Sequence, residues 1–203
     1  MFRAWLNRTR RKVWHLLFFR MLFGERANDG RLLAFTRIGP TTCIENEDRL
    51  VLADDVFIGH FNFIEASHSV CIDAGCQITN FVSIVTHSSH RSQRLMGSDY
   101  SSTPVKLRPG FVAGPVHIGP FCYIGPNSVI EANTTLGKGC IVASHSRVRG
   151  VFADFSKIAG NPAQRVGDTR DDDEAMLRLH PQWRAQYQAW AGPGASGRPP
   201  DTP

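Results

Sequence analysis

The sequence predicts an all-β fold, a parallel β-helix built from hexapeptide repeats. Aliphatic residues recur every six positions in two runs. The run from Leu52 to Ile84 contains one step of eight residues, and glycine often follows the aliphatic in the second run. A period of six fits neither the 3.6-residue period of a helix nor the alternation of hairpin strands. The recurring positions are Ile38, Ile44, Leu52, Ile58, Ile64, Ile72, Ile78, Ile84, Val112, Ile118, Ile124, Ile130, Leu136, Val142 and Val148.

Each repeat is expected to form a short strand and a corner, and three repeats of six residues form one coil of about 18 residues. Stacked coils then bury the aliphatic residues in an internal column, with about five coils in all. The fourth residue after each aliphatic is small or slim, as a narrow interior corner requires. These positions are Thr42, Val56, Asn62, Cys76, Val82, Cys122, Ser128, Thr134, Cys140 and Ser146.

Residues 1–33 precede the repeats, and residues 2–23 carry six Arg or Lys side chains, no acid and many large apolar side chains. This pattern predicts a basic amphipathic helix. Its apolar stretch is too short to cross a bilayer and has no signal-peptide cleavage site. We expect it to pack on the first coil or on a neighbouring subunit. The alternative is docking on an anionic membrane surface.

Composition favours one soluble domain with a real core, because the 203 residues are 42% hydrophobic and carry a net charge of +5. The positive charge is concentrated near the N-terminus, so no nucleic-acid partner is expected. The five cysteines are odd in number and contain no CxxC pair. We therefore expect packed thiols and a reducing, cytoplasmic compartment.

The β-helix domain is predicted over residues 34–168, with an inserted loop at 87–111 where the repeat fails. Long insertions in compact domains are more often functional than not. His87 and His90 stand at the root of this insertion. For either histidine alone, a surface hydrogen bond to a loop carbonyl is the ordinary alternative to a catalytic role.

Four segments in this order, THSSHR, GPVHIG, YIGPNSVI and IAGNPA, resemble the hexapeptide-repeat acyltransferases, and in particular the sugar O-acetyltransferases. The maltose and galactoside acetyltransferases and polysaccharide-cluster enzymes belong to that branch. The resemblance covers about residues 35–168 and implies a left-handed β-helix. It also implies acetyl-CoA as co-substrate without a metal, a carbohydrate or lipid-linked glycan as acceptor, and a homotrimer with sites between subunits.

Acetyl transfer to a sugar hydroxyl requires removal of the hydroxyl proton, which a histidine with an ordinary pKa near 6.5 can perform. The resemblance implies that this base lies at the start of the insertion. The motif aligns best with His90, and His87 is the alternative because the motif is one residue longer than usual. Asn80 and Ser83 are candidates to orient the base or hold the acceptor, with ordinary corner positions as the alternative.

The resemblance also assigns the remaining site residues. Tyr123 and Gly125 fall where the family stabilises the oxyanion, although Pro126 has no N–H. Ala143 and Ser144 would contact the pantetheine arm of coenzyme A. Gly160, Asn161 and Pro162 would form the closing turn, with Lys157 and Arg165 near the phosphates.

Residues 169–191 predict a C-terminal helical segment that Pro181 kinks or divides, packed on the β-helix or on a neighbouring subunit. Residues 192–203 have the composition of a disordered tail.

Two other functions remain open from the sequence. One is a zinc hydratase of the γ-carbonic-anhydrase type, for which Cys122 follows His117 by five residues instead of a second histidine. The other is a non-catalytic hexapeptide scaffold. Metal analysis would distinguish the hydratase from the acetyltransferase. Acetyl-CoA binding would distinguish the scaffold from it.

Overall fold

Three parallel β-sheets form the faces of a prism in the computed structural model, which describes residues 1–192. Strands are numbered in chain order. A hairpin of β1 (Glu25–Arg26) and β2 (Leu32–Leu33) precedes the repeats. Sheet I comprises β3 (Arg37–Ile38), β6 (Phe57–Ile58), β9 (Gln77–Ile78), β14 (Tyr123–Ile124), β17 (Ile141–Val142) and β20 (Ser156–Gly160), with β21 (Ala163–Asp168) antiparallel at its edge.

The other two faces contain five strands each. Sheet II comprises β4 (Cys43–Glu45), β7 (Phe63–Glu65), β10 (Ser83–Val85), β15 (Val129–Ile130) and β18 (Arg147–Val148). Sheet III comprises β5 (Leu50–Leu52), β8 (Val70–Ile72), β13 (Val116–Ile118), β16 (Thr134–Leu136) and β19 (Val151–Phe152). The prediction of a parallel β-helix of about five coils is confirmed.

Coil length is not uniform, which corrects the expectation of three equal repeats in every coil. The early coils are the longer ones, because Ile38 pairs with Ile58 and Ile58 with Ile78. The later coils have the expected length, as in the pairing of Ile124 with Val142. The difference arises at the step between sheets II and III, which takes eight residues in each of the first two coils, from Ile44 to Leu52 and from Ile64 to Ile72.

The aliphatic column and the slim corners pack as predicted. Ile58, Ile78 and Ile124 are among many repeat residues with no exposed surface, and each such burial contributes roughly 1.5–3 kcal/mol to the stability of the fold. Nine of the ten slim positions are buried, and Thr42 is half-buried. The corners turn sharply, so several non-glycine residues there adopt left-handed backbone angles, such as Phe61 with φ 57°.

The cysteines divide into two groups. Cys76, Cys122 and Cys140 are buried at interior corners, where their thiols donate to backbone carbonyls of the next coil. Cys43 is exposed and Cys71 is half-buried, so the expectation of packed thiols is wrong for these two. Both lie on strands at positions whose side chains point outward, because successive strand residues face opposite sides.

The insertion has structure of its own. Its two ends pair as antiparallel strands β11 (His87–Ser88) and β12 (Val112–Ala113), which enclose helix α2 (His90–Met96) and short 3-10 turns. Val112 was expected in the aliphatic column, and this is wrong, because it pairs with Ser88 at the base of the insertion. The column resumes at Val116 and Ile118, which are buried.

Helices lie at both ends of the described chain. Helix α1 (Phe2–Phe18) has no buried residue, and beyond it Phe19 packs against the rings of His60 and Phe61. None of the helices within residues 1–192 is both long and apolar enough to cross a membrane.

The C-terminal segment is divided as predicted, into α3 (Arg170–Leu179) and α4 (Arg184–Ala191) with a 3-10 turn at Pro181. Trp190 stacks on Phe121 with ring centroids 4.3 Å apart, so the segment packs on the β-helix of its own chain. The predicted tail beyond Gly192 lies outside the described residues.

Candidate active site

A buried carboxylate and a histidine meet where the insertion leaves the β-helix. Glu65 ends β7 and is buried, and His87 follows β10 on the next coil. Nδ1 of His87 lies 2.9 Å from Oε2 of Glu65. Sequence reasoning missed Glu65, whose only signal was an acidic residue directly after a column aliphatic, a position shared with Glu45 and Glu131.

Local hydrogen bonds hold Glu65 as a carboxylate. The Thr86 hydroxyl donates to Oε2 at 2.7 Å, and the backbone N–H groups of Ser67 and Thr86 donate to Oε1 and Oε2. Burial by itself would raise the pKa of Glu65, but the bonds from Ser67 and Thr86 outweigh it and lower the pKa to about 2. A charged acceptor therefore faces the imidazole at neutral pH.

The His87 ring is also fixed on its faces. Its plane is tilted only 14° from that of Phe111, with ring centroids 5.7 Å apart, and the His68 ring lies 6.0 Å away. The side chain is 39% exposed. Within residues 1–192, Nε2 of His87 makes no hydrogen bond, so a ring that donates from Nδ1 to Glu65 presents a free lone pair at Nε2.

His90 occupies a different environment. It is the first residue of α2, it is exposed, and its Nδ1 lies 2.7 Å from the Ser88 hydroxyl. No described carboxylate pairs with it. The two histidines at the root of the insertion therefore differ in that only His87 has an acidic partner.

Two of the residues expected around the acceptor and the oxyanion, Asn80 and Gly125, lie on another edge of the prism, between sheets I and II. Asn80 Oδ1 accepts the His60 N–H there at 2.7 Å. The Gly125 N–H donates to the Val142 carbonyl at 2.8 Å, so it is occupied by coil stacking and cannot serve as the expected oxyanion donor. A Cβ at Gly125 would approach Ser144 N to 2.6 Å, which explains the glycine. Tyr123 lies on the outer face of sheet I.

Ser83, by contrast, is a half-buried residue of β10 on sheet II. It is therefore on the strand that leads to His87, and its backbone N–H donates to the Ser128 carbonyl on the following coil. Ser83 therefore lies between the edge that carries Asn80 and the edge that carries His87.

The residues expected at coenzyme A lie on the last coils. Ala143 and Ser144 follow β17 at the edge between sheets I and II, and Ser144 is exposed. The Ala143 N–H donates to the Ile158 carbonyl of the next coil at 2.8 Å. Within the described residues, the Ser144 N–H makes no such bond between coils.

Gly160, Asn161 and Pro162 form the turn between β20 and β21, and Gly160 has φ 107°, a region that favours glycine. Both predicted cations are paired within the chain. Lys157 Nζ lies 2.7 Å from Asp172, and Arg165 lies 3.0 Å from Asp168.

The predicted residues thus form two groups in one chain. His87 and His90 lie at the edge between sheets II and III, whereas Asn80, Gly125, Ala143 and Ser144 lie at the edge between sheets I and II. Strands of sheet II separate the two edges. A single chain does not bring the groups together.

A second cluster of polar side chains lies on sheet III. Cys71, Asp73 and His117 place one potential ligand atom each within 4.8 Å of one another. Burial raises the pKa of the Cys71 thiol to about 11, with a contribution from the negative charge of Asp73, so the thiol is not an activated nucleophile. The spacing of His117 and Cys122 has no structural meaning for a metal, because Cys122 is buried in the interior and His117 faces outward.

Known proteins resemble this chain in sequence over part of its length. Residues 115–150 match the family model described as bacterial transferase hexapeptide (six repeats). A probable acetyltransferase of Mycobacterium tuberculosis is 34% identical over 119 residues, which are 59% of this chain and 35% of that protein. A chloramphenicol acetyltransferase of Agrobacterium fabrum is 30% identical over 71 residues, 35% of this chain and 34% of that protein. The chain spans about a third of the length of these relatives.

Solved structures share the fold at low sequence identity. An N-acyltransferase of Bacillus cereus in complex with dTDP and 3-hydroxybutyryl-CoA has a TM-score of 0.54 at 16% identity, over 73% of this chain and 88% of that chain. A Vibrio cholerae hexapeptide-repeat acetyltransferase complexed with acetyl coenzyme A has a TM-score of 0.51 at 21% identity, over 64% and 65%. A maltose O-acetyltransferase of Clostridium difficile has a TM-score of 0.50 at 17% identity, over 63% of each chain.

The resemblance inferred from the four motifs is therefore confirmed: the chain is a left-handed β-helix that carries the bacterial transferase hexapeptide repeat and is similar to hexapeptide-repeat acetyltransferases.

Proposed function

We propose that the protein is an acetyl-CoA-dependent O-acetyltransferase that modifies a hydroxyl of a carbohydrate or glycan precursor. The observation that carries the proposal is the 2.9 Å contact between Glu65 and His87 at the root of the insertion. The relatives named as acetyltransferases and the fold shared with a structure complexed with acetyl coenzyme A support the choice of reaction and co-substrate.

In this mechanism His87 is the general base and Glu65 orients it. The Glu65 carboxylate accepts a hydrogen bond from Nδ1–H of His87, which leaves the lone pair of Nε2 facing outward to receive the acceptor hydroxyl proton. The hydroxyl oxygen attacks the thioester carbonyl directly, and the C–S bond then breaks. The imidazolium returns its proton to the departing thiolate. Because the acceptor itself attacks the thioester, no acyl-enzyme forms.

His90 is the candidate that motif alignment favours, and the geometry favours His87 instead. An exposed imidazole that pairs with the Ser88 hydroxyl has no charged group to select its tautomer or to stabilise its protonated form. For His87, Glu65 both selects the tautomer and stabilises the protonated form, and Phe111 restricts the orientation of the ring.

The separation of the two residue groups supports a site shared between subunits of a homotrimer. Coenzyme A would lie along the edge that carries Ala143 and Ser144 in one subunit, and His87 of the neighbouring subunit would face the thioester. Gly160, Asn161 and Pro162 close that edge at the end of the β-helix. Lys157 and Arg165 would reach phosphate oxygens by exchanging their carboxylate partners, because both ion pairs are solvent-accessible.

Helix α1 supports peripheral attachment to the inner face of a membrane. Six apolar residues on one side of the helix are exposed in the described chain, namely Phe2, Trp5, Leu6, Val13, Leu16 and Leu17. The helix contains no acid and five Arg or Lys side chains. An apolar stripe with basic neighbours matches the interface of an anionic bilayer, where lipid-linked glycans would be the acceptors.

The experiment that tests the function is release of free coenzyme A from acetyl-CoA with a panel of sugars, nucleotide sugars and lipid-linked oligosaccharides. Acceptor-dependent release with acetylated product is the expected result. Failure to bind acetyl-CoA would instead support a non-catalytic scaffold.

A further inference from the structure

The Cys71, Asp73 and His117 cluster, outside the proposed catalytic residues, has the composition of a metal site. Cys71 lies at the centre of β8 and His117 at the centre of β13, and the two are direct partners across adjacent parallel strands of sheet III. Their chain neighbours Val70, Ile72, Val116 and Ile118 are buried in the column. Both side chains therefore project from the outer face of the same sheet.

The backbone fixes Asp73 beside this pair. Asp73 follows β8 directly, and its N–H donates to the Ile118 carbonyl at 3.0 Å. Its carboxylate then reaches both neighbours: Oδ2 lies 2.9 Å from Nε2 of His117, and Oδ1 lies 3.8 Å from Sγ of Cys71. Among the described residues, no Arg or Lys forms an ion pair with Asp73. The negative charge of Asp73 is therefore not neutralised by an Arg or Lys side chain of the described residues, and it remains available to a bound cation.

The spacing of the three atoms suits a small cation. All three lie within 4.8 Å of one another. A tetrahedral zinc ion with bonds of about 2.0–2.3 Å places its ligand atoms roughly 3.3–3.8 Å apart, so the three atoms would need to move by only about 1 Å to reach that spacing. The outer face is open enough for water to complete the coordination, since His117 is exposed and the other two residues are half-buried.

We propose that Cys71, Asp73 and His117 bind one zinc ion on the outer face of sheet III. One thiolate, one imidazole and one carboxylate form a donor set that selects zinc or cobalt over calcium and magnesium, which require oxygen ligands. This ligand set shares no residue with Glu65 and His87, and it is not the three-histidine set of the hydratase alternative.

The position of the ligands indicates what the ion would do. Cys71 and Asp73 precede the insertion in the chain and His117 follows it, while β8 and β13 are adjacent rungs of the prism. A bound ion would therefore join the coil before the insertion to the coil after it. The expected role is structural, and it holds the base of the insertion closed.

The test uses the full, tag-free chain, stripped with chelator and titrated with Zn²⁺ or Co²⁺. The expected result is one metal per chain, a thiolate-to-cobalt charge-transfer band, and a higher thermal midpoint with zinc than without it. Absence of the charge-transfer band overturns the proposal and needs no variant, so the result does not depend on any substitution folding.

Variants then locate the site. Cys71→Ser and His117→Gln are each expected to weaken zinc binding by at least about 10-fold, because each removes one of three ligands. Cys43→Ser is the matched control, since Cys43 is an exposed thiol on sheet II, and it should leave affinity unchanged. Equal affinity in Cys71→Ser and the wild type, or loss of binding in Cys43→Ser, would contradict the assignment.

Discussion

Glu65 and His87 are 22 positions apart in the chain, and their side chains meet at 2.9 Å. The long second coil places Val85 directly beside Glu65 on neighbouring strands, and His87 lies just beyond Val85 in the chain. The insertion begins at this point, so the contact orients the first side chain that leaves the β-helix.

The first prediction distinguishes the two histidines. His87→Ala is expected to lower turnover by about 10²- to 10⁴-fold, because a positioned general base is lost. His90→Ala is the matched control at the same root and should retain most activity, or show only a raised KM for the acceptor. Coenzyme A release measures both, with circular dichroism to check the fold. Near-normal turnover in His87→Ala together with collapse in His90→Ala would return the base to His90.

The second prediction concerns the orienting role of Glu65. Glu65→Gln is expected to lower kcat by roughly 10-fold or more with little change in the KM for acetyl-CoA, because the amide no longer stabilises the protonated imidazole. Glu45→Gln is the control, since Glu45 occupies the same register one coil earlier and is exposed. Equal kcat in the wild type and Glu65→Gln would remove Glu65 from the mechanism.

The third prediction follows from the pKa of Glu65, which is lowered from 4.5 to about 2 in the folded chain. A depressed folded pKa means stabilisation that is present above the unfolded pKa and lost as pH falls through the folded value, here between about pH 4.5 and 2. The effect is on the order of 3 kcal/mol. The difference in thermal midpoint between wild type and Glu65→Gln should shrink as the pH falls from about 4.5 towards 2. A difference that grows in acid would contradict the assigned shift.

The fourth prediction concerns α1. A chain without residues 1–23 should retain its fold, since α1 has no buried residue, and should no longer sediment with anionic vesicles at low salt. Trp5→Ala should weaken sedimentation of the full chain. Leu179→Ala is the control, because Leu179 is 72% exposed on α3, away from the basic helix. Undiminished sedimentation of the truncated chain would exclude α1 as the membrane contact.

The fifth prediction concerns assembly. Light scattering should give a mass near three times 22.6 kDa. If neighbours share each site, a refolded mixture of His87→Ala with a chain altered at Ser144 should regain part of the activity that both lack alone, since some interfaces then combine two intact halves. Full activity in a monomer would contradict the shared site.

The period of six was enough to predict the β-helix, its column and its slim corners, because the period is local and each repeat can be recognised from its own side chains. The insertion and the divided C-terminal helix were also predictable, through the failure of the period and through Pro181. Val112 shows the limit of this reasoning: it keeps an aliphatic residue near the expected position, yet it pairs with Ser88 in the insertion.

Only the folded structure shows which side chains contact one another. Partners on adjacent coils are near in sequence where the chain is continuous, as for Ile58 and Ile78, and far apart across the insertion, as for Cys71 and His117. The number of residues between two such partners depends on corner lengths and on the size of the insertion, which do not affect the six-residue period itself. The pairing of Glu65 with His87, the occupied N–H of Gly125 and the separation of the two edges therefore arise from the stacking of coils, a non-local property that no single repeat encodes.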